Sequence, residues 1–180
     1  MKISIFTDLE KVIAEVNRNV KLSDNFRLFE LANNAGDPNQ SMYLFSAKSN
    51  KHVEALQDFR EILNRPVNVN SGYRQRDYNT QIGGDVNSAH LVGCAADIQL
   101  IKGLKQIDYI DAWFTALQAA GINQGAINVY SNYYHLESYS MDLMGYILPY
   151  TIRVYTSDSD YNALREHYKY RNYYFMRIKK

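Results

Sequence analysis

Apolar residues recur at helical spacing in two long stretches of the chain. In residues 105–120 an apolar side chain stands at every third or fourth position, which predicts an amphipathic helix. Residues 51–65 repeat this period, with Ser49 or Asn50 as the predicted N-cap and Pro66 as the residue that ends the helix. Each predicted helix therefore carries one apolar face.

Shorter helical patterns precede these two stretches. Residues 8–18 carry apolar side chains on one helical face and predict a short helix. A second short helix is predicted around Leu28 and Leu31, with Ser23 or Asp24 as its N-cap. The first third of the chain is therefore predicted to be mainly helical.

Strand patterns dominate the rest of the chain. Residues 67–72 alternate between apolar and polar positions, and residues 94–100 form an apolar run of strand length. Residues 125–130 and 133–139 predict two further strands, which the tight turn Ser131–Asn132 would join into a hairpin.

Early helices followed by strand pairs predict an α+β fold, with a small antiparallel sheet flanked by helices. Residues 149–180 predict a strand, a helix and a last strand, and 12 of the 16 tyrosines lie at or after Tyr130. We therefore expect one domain over residues 1–148 and a tyrosine-rich extension over residues 149–180, packed on the same domain. Its tyrosines would extend the sheet, where tyrosine is common, or bind glycan; the first role is favoured.

Charge and composition exclude several classes of partner. The 20 basic and 19 acidic side chains nearly cancel, so nothing in the charge points to nucleic acid. Charged residues interrupt the N-terminal segment, and no window is apolar enough to span a membrane. We expect a protein made in the cytoplasm without a signal peptide and not inserted in a membrane; its oligomeric state stays open.

An aspartate stands inside the apolar run 94–100, at Asp97. A buried carboxylate is costly unless it is paired, hydrogen-bonded or bound to a metal. His90 lies seven residues earlier, and His135 lies on the predicted hairpin. Two imidazoles, a carboxylate and a position for water form the ligand set of a catalytic zinc site. Glu137 would share a strand face with His135 and either orient an imidazole or face the water.

The sequence motifs around these residues resemble those of a known family. Residues 71–98, SGYRQRDYNTQIGGDVNSAHLVGCAADI, resemble the M15 zinc peptidases, which include D-alanyl-D-alanine carboxypeptidases and related phage lysis enzymes. The shared elements are S-G-Y-R, Y-N, a glycine turn, N-S-x-H and H-x-x-G-x-A-x-D, and YYHLES supplies a late histidine. The resemblance spans roughly residues 21–138.

The resemblance implies a hedgehog/D-Ala-D-Ala peptidase-like fold over the domain of residues 1–148. It also implies one Zn²⁺ per chain, held by His90, Asp97 and His135, and a peptide of bacterial peptidoglycan as the substrate. The bond cleaved would contain a D-amino acid. Arg74 matches the family arginine that holds the substrate as negative charge develops, an electrophilic role.

One position departs from the family pattern. Several relatives carry an acid three residues before the last histidine as the general base, and this position is Asn132 here. Glu137 is then the candidate general base, and its orienting role stays an equal alternative.

Cys94 is expected to be a buried, inert thiol rather than a ligand. His52 and His167 are expected to be structural or to face solvent.

Three functions fit these features, and the least favoured is a host-derived, metal-stabilised domain that regulates a partner. The first is a zinc peptidase that acts on the cell wall as a phage lysis or virion protein, and the expected lack of a signal peptide favours this setting. The alternative is a weakly active or inactive cell-wall-binding or virion module that retains the zinc-peptidase fold, which Asn132 favours. Carboxypeptidase and endopeptidase action both remain open for the first.

Overall fold

The computed structural model of the chain describes residues 12–15, 20–34, 41–139 and 149–179. In chain order its elements are β1 (Val12–Glu15), a 3₁₀ helix (Leu28–Leu31), β2 (Met42–Phe45), α1 (Ala47–Leu63), β3 (Val69–Ser71), α2 (Arg76–Gln81), a second 3₁₀ helix (Ala89–Val92), β4 (Ala95–Gln99), α3 (Gln106–Ala119), β5 (Ala126–Val129), β6 (Tyr133–Glu137), β7 (Thr151–Val154), α4 (Asp158–His167) and β8 (Tyr174–Arg177).

A six-stranded sheet in the order β3-β4-β6-β5-β7-β8 forms the centre of the fold. The first four strands in this order pair antiparallel, and β5 and β6 form the predicted hairpin. β7 pairs with β5 in parallel, and β8 pairs with β7 in parallel. The predicted α+β class is confirmed. The sheet is mixed rather than antiparallel throughout, because β7 joins β5 in parallel and α4 then carries the chain back to a parallel β8.

The predicted helix over residues 8–18 is wrong where the structure describes it. Residues 12–15 form β1, which pairs antiparallel with β2 along four residues; the rest of the predicted helix lies outside the described residues. Val12 and Ile13 are β-branched and favour an extended backbone. The backbone bonds to β2 decide the conformation, and helical periodicity alone could not reveal that partner.

The short helix around Leu28 and Leu31 is confirmed as one turn of 3₁₀ helix. Its N-cap is Arg27, so the predicted capping by Ser23 or Asp24 is wrong. The Ser23 hydroxyl instead accepts the backbone N–H of Phe26 at 3.2 Å and closes a turn before the helix.

α1 begins one turn earlier than predicted. Its N-cap is Ser46, whose hydroxyl accepts the N–H of Ser49, while the Ser49 hydroxyl accepts the N–H of Ser46. This reciprocal capping box replaces the predicted caps Ser49 and Asn50, because it satisfies two N–H groups of the first turn. α1 ends at Leu63, and no helix in the described part of the chain is long and apolar enough to cross a membrane.

α1 and α3 pack together and cover one face of the sheet. The Trp113 indole of α3 donates to the carbonyl of Ala126 in β5 at 3.0 Å and meets the Phe59 ring of α1 edge-on. Tyr109 of α3 stacks on Tyr134 of β6, with ring centroids 4.1 Å apart. The even-numbered residues of β6 therefore face the helices, and its odd-numbered residues face the other side.

Polar side chains line up across the other face. Ser71 pairs with Asp97, Asp97 with His135, His135 with Asn128, and Asn128 with Arg153. Directly paired residues share a face of a sheet, so these five side chains form one line across five strands. We call this line the polar row.

Three tyrosines next to the C-terminal strands and α4 pack on α3. Tyr150 and Tyr173 lie against the Phe114 ring, with centroids 5.0 Å and 4.7 Å away. The Tyr168 hydroxyl donates to the Asp111 carboxylate at 2.9 Å. These three tyrosines therefore pack the C-terminal segment against the core.

Candidate metal centre

His90 is positioned by the second 3₁₀ helix, just before β4. The Ser88 hydroxyl accepts its backbone N–H, and Gly93 ends the helix with a φ of 69°. Nδ1 of the buried His90 ring lies 2.5 Å from the carbonyl oxygen of Gly72. A carbonyl only accepts, so the proton is on Nδ1 and the lone pair of Nε2 points into the site.

His135 is positioned by β6 at the middle of the polar row. Its Nε2 lies 2.8 Å from Oε1 of Glu137, and its Nδ1 lies 2.7 Å from Oδ1 of Asp97 and 3.1 Å from Nε2 of His90. A carboxylate accepts, so Nε2 donates its proton to Glu137. Nδ1 then faces the other two residues and can carry either a proton or a metal ion.

Asp97 completes the group from β4. Its side chain is 14% exposed, and Oδ2 accepts a hydrogen bond from Nη2 of Arg74 at 2.6 Å. Arg74 is held in turn by the Ser71 hydroxyl, which accepts from Nε at 2.9 Å. One ligand atom each from His90, Asp97 and His135 lies within 4.8 Å of the others. The three residues singled out in the sequence are therefore adjacent in space.

The carboxylates around His135 stabilise a positive charge on its ring. Burial alone would lower the pKa of His135, but hydrogen bonds to Asp97 and Glu137 outweigh burial and raise it to about 9. Burial would raise the pKa of Asp97, but the hydrogen bond from His135 outweighs burial and keeps it well below its usual range. Burial lowers the pKa of His90, so this ring stays neutral. The group thus combines the Asp97 carboxylate, the neutral imidazole of His90 and the imidazole of His135, whose Nδ1 carries either a proton or a metal ion.

The donor set fits a zinc ion. Two imidazole nitrogens and a carboxylate oxygen are ligands that zinc prefers, and three protein ligands leave a position open. Both rings also have an acceptor on their far nitrogen, the Gly72 carbonyl for His90 and the Glu137 carboxylate for His135. Such outer partners fix the tautomer of metal-binding histidines.

Glu137 is tied to partners on the side of the ring away from Asp97. Its Oε1 and Oε2 each lie 3.0 Å from Nη1 of Arg153, in addition to the contact with His135. Burial would raise the pKa of Glu137, but His135 and Arg153 outweigh burial and lower it to about 2. Of the two roles left open by the sequence, the contacts favour orienting His135, because both carboxylate oxygens are already engaged by His135 and Arg153.

The other residues considered in the sequence lie apart from the ligand group. Asn132 is exposed in the hairpin turn, and His167 is exposed on α4. Cys94 is buried but does not belong to the group of potential ligands found among the described residues. His52 is fully buried beside Trp113, with Nδ1 2.9 Å from the Ser138 hydroxyl, and burial lowers its pKa to about 3.

Sequence reasoning missed two residues of the polar row. Arg153 and Asn128 were not singled out, although Nη1 of Arg153 lies 3.1 Å from Oδ1 of Asn128 and also reaches Glu137. One signal was present: Arg153 is a charged residue between Ile152 and Val154 in a predicted strand.

Comparison with known proteins agrees with this geometry. A search of curated proteins returns no match to this chain. The sequence model of the peptidase M15 family matches residues 24–137, which contain Arg74 and the complete ligand group and exclude Arg153. M15 peptidases are zinc-dependent metallopeptidases, and the matched span covers more than half of the chain. The chain belongs to the peptidase M15 family.

Proposed function

We propose that this protein is a zinc-dependent peptidase that hydrolyses D-amino-acid-containing peptide bonds of bacterial peptidoglycan. The observation that carries the proposal is the convergence of His90, Asp97 and His135 within 4.8 Å in a chain of the M15 family. Each imidazole has its own outer acceptor, which favours a built metal site over a chance cluster.

The residues divide into three roles in this proposal: metal ligands, residues that orient the ligands, and a residue that contacts the substrate. His90, Asp97 and His135 hold the ion, and Gly72 and Glu137 orient the two rings. Zinc bound there would supply Lewis acidity towards a peptide carbonyl and would lower the pKa of a water molecule.

Arg74 is assigned to the substrate. Its guanidinium lies beside Asp97 with the side chain 14% exposed, so it borders both the ligand group and solvent. A guanidinium there can donate to a carbonyl or carboxylate oxygen of the peptide and stabilise the negative charge that develops on it.

The setting and the domain division are also proposals. We assign the peptidase unit to residues 1–148 and the tyrosine-rich extension to residues 149–180, joined where β7 pairs with β5. A peptidoglycan substrate places the action at the cell wall, and the resemblance to phage lysis enzymes favours a phage lysis or virion protein.

A second candidate is a non-catalytic cell-wall-binding module with the same fold. Asn132 favours it, because an amide stands where several relatives carry an acid. The two candidates differ in turnover but share the metal site.

The first experiment measures zinc per chain in protein purified without added metal, together with hydrolysis of purified peptidoglycan fragments. We expect about one zinc per wild-type chain and none in His90→Ala. His167→Ala is the matched control, because this histidine is exposed on α4 and should leave zinc unchanged. Zinc with new peptide ends, lost on chelation, supports the peptidase. Zinc without hydrolysis favours the binding module, and absence of zinc contradicts both.

A further inference from the structure

The metal centre is connected to a strand that lies outside the span matched to the family. Arg153 stands on β7, and residues 24–137 end before it. Its side chain is 12% exposed, and Nη1 donates to both carboxylate oxygens of Glu137 at 3.0 Å and to Oδ1 of Asn128 at 3.1 Å. One guanidinium therefore meets three acceptors in an almost buried place.

The register of the sheet directs this contact towards His135. Asn128 pairs with His135 on one side and with Arg153 on the other, so all three project from the same face. Oε1 of Glu137 lies 2.8 Å from Nε2 of His135 and 3.0 Å from Nη1 of Arg153. The same oxygen that fixes the His135 ring is thus fixed by the arginine.

Removing the arginine would affect more than one ion pair. Among the residues that the structure describes, the Glu137 carboxylate would be left with the His135 ring as its remaining charged partner. A carboxylate that has lost its guanidinium can turn towards solvent, and His135 then loses the acceptor that keeps its proton on Nε2. Nδ1 would no longer be held free for a metal ion.

We propose that Arg153 is a positioning residue of the metal centre, which fixes Glu137 and through it the ring of His135. The inference rests on the proposed zinc site and adds to it a function for the C-terminal extension. The extension supplies the outermost link of a chain of contacts that ends at a metal ligand.

The test is the zinc affinity of Arg153→Met, measured by competition with a chromophoric chelator. We expect the affinity to fall about 10- to 100-fold, the usual effect of losing an outer partner of a metal ligand. Arg177→Met is the matched control. Arg177 also belongs to the extension, pairs with Asp158 at 2.8 Å and donates to the carbonyls of Val154 and Thr156. It should lower stability without changing zinc affinity.

A double-mutant cycle separates positioning from simple packing. If Arg153 acts through Glu137, the effects of Arg153→Met and Glu137→Gln on zinc affinity should not add. Exchange of the His135 Nε2 proton, followed by NMR of the zinc-loaded protein, should be faster in Arg153→Met than in the wild type and unchanged in Arg177→Met. Arg153→Gln, which keeps a donor without the charge, replaces Arg153→Met if that variant does not fold.

The outcomes are distinguishable. Zinc in the wild type with unchanged affinity and unchanged proton exchange in the Arg153 variants overturns the inference and leaves the proposed peptidase standing. Additive effects in the cycle also overturn it, because the arginine would then act by another route. A wild-type chain that binds no zinc overturns the proposed function and the inference together.

Discussion

Replacing Gly72 by alanine should weaken the proposed metal site from a position that contributes no ligand. The carbonyl of Gly72 accepts from Nδ1 of His90 and sets the tautomer of that ring. A Cβ built on Gly72 would lie 2.5 Å from the carbonyl oxygen of Leu31 and 2.6 Å from its Cα. These are backbone atoms and cannot rotate away, so one of the two segments has to move by several tenths of an ångström.

Two effects follow from this displacement. The overlap itself should lower the free energy of unfolding by about 1–3 kcal/mol, the usual cost of overpacking. The Leu31 oxygen also accepts the backbone N–H of Tyr73 at 2.8 Å, so the shift strains a hydrogen bond between the same segments. A displaced Gly72 carbonyl no longer fixes His90, and zinc affinity should fall about 10-fold or more.

Urea unfolding of the metal-free protein measures the first effect, and chelator competition measures the second. Gly103→Ala is the control, since Gly103 has a φ of +89° and no atom within 4 Å of the added Cβ. It should cost about 1–2 kcal/mol of backbone strain and leave zinc affinity unchanged. A Gly72→Ala protein with wild-type affinity and an unshifted urea midpoint would refute the reasoning.

Three further predictions concern single side chains. Arg74→Ala should keep its zinc but lose about 10²- to 10³-fold in peptide hydrolysis, since a charge-stabilising donor is removed; full activity would contradict its role. Zinc binding at pH 7 should release a proton from His135, because the pKa of this imidazole is raised to about 9. Calorimetry in two buffers of different ionisation enthalpy measures the number of protons released, and a binding heat that is the same in both buffers would argue against proton release. Burial lowers the pKa of His52 from 6.5 to about 3. As the pH falls, the His52 imidazole is therefore protonated in the unfolded chain before it is protonated in the folded chain. His52 should therefore leave stability undiminished above pH 6.5 and lower the free energy of unfolding by about 1.4 kcal/mol per pH unit below it. In urea unfolding at pH 7 and pH 5, His52→Asn should lose less unfolding free energy between the two pH values than the wild type. An equal loss in both proteins would refute the assignment.

Local patterns carried much of the fold. The apolar period of residues 105–120 gave α3 almost to its bounds, that of residues 51–65 gave α1 without its first turn, and the turn Ser131–Asn132 gave the hairpin. Motif spacing also led to the ligand group, because the histidine of H-x-x-G-x-A-x-D lies in a short 3₁₀ helix and its aspartate lies in the strand that follows. These features depend on residues that are close in the chain.

The failures depend on partners that are distant in the chain. β1 was predicted as a helix because its pairing with β2 has no signature in its own apolar spacing. Arg153 was missed because its meaning depends on the parallel register of β5 and β7, which places it beside Asn128. No local pattern encodes which strand a C-terminal strand will join, or in which direction.

The polar row has a consequence for how the strands find each other. A slip of one residue in β6 would send His135 to the face covered by α3 and would bring Tyr134 opposite Asp97. Every such misalignment separates charges that the native register pairs, and leaving them unpaired in a buried place is costly. An ion that binds only when Asp97 and His135 stand side by side adds its binding free energy to that one alignment. The residues proposed to hold the metal would thus also select the correct strand pairing during folding.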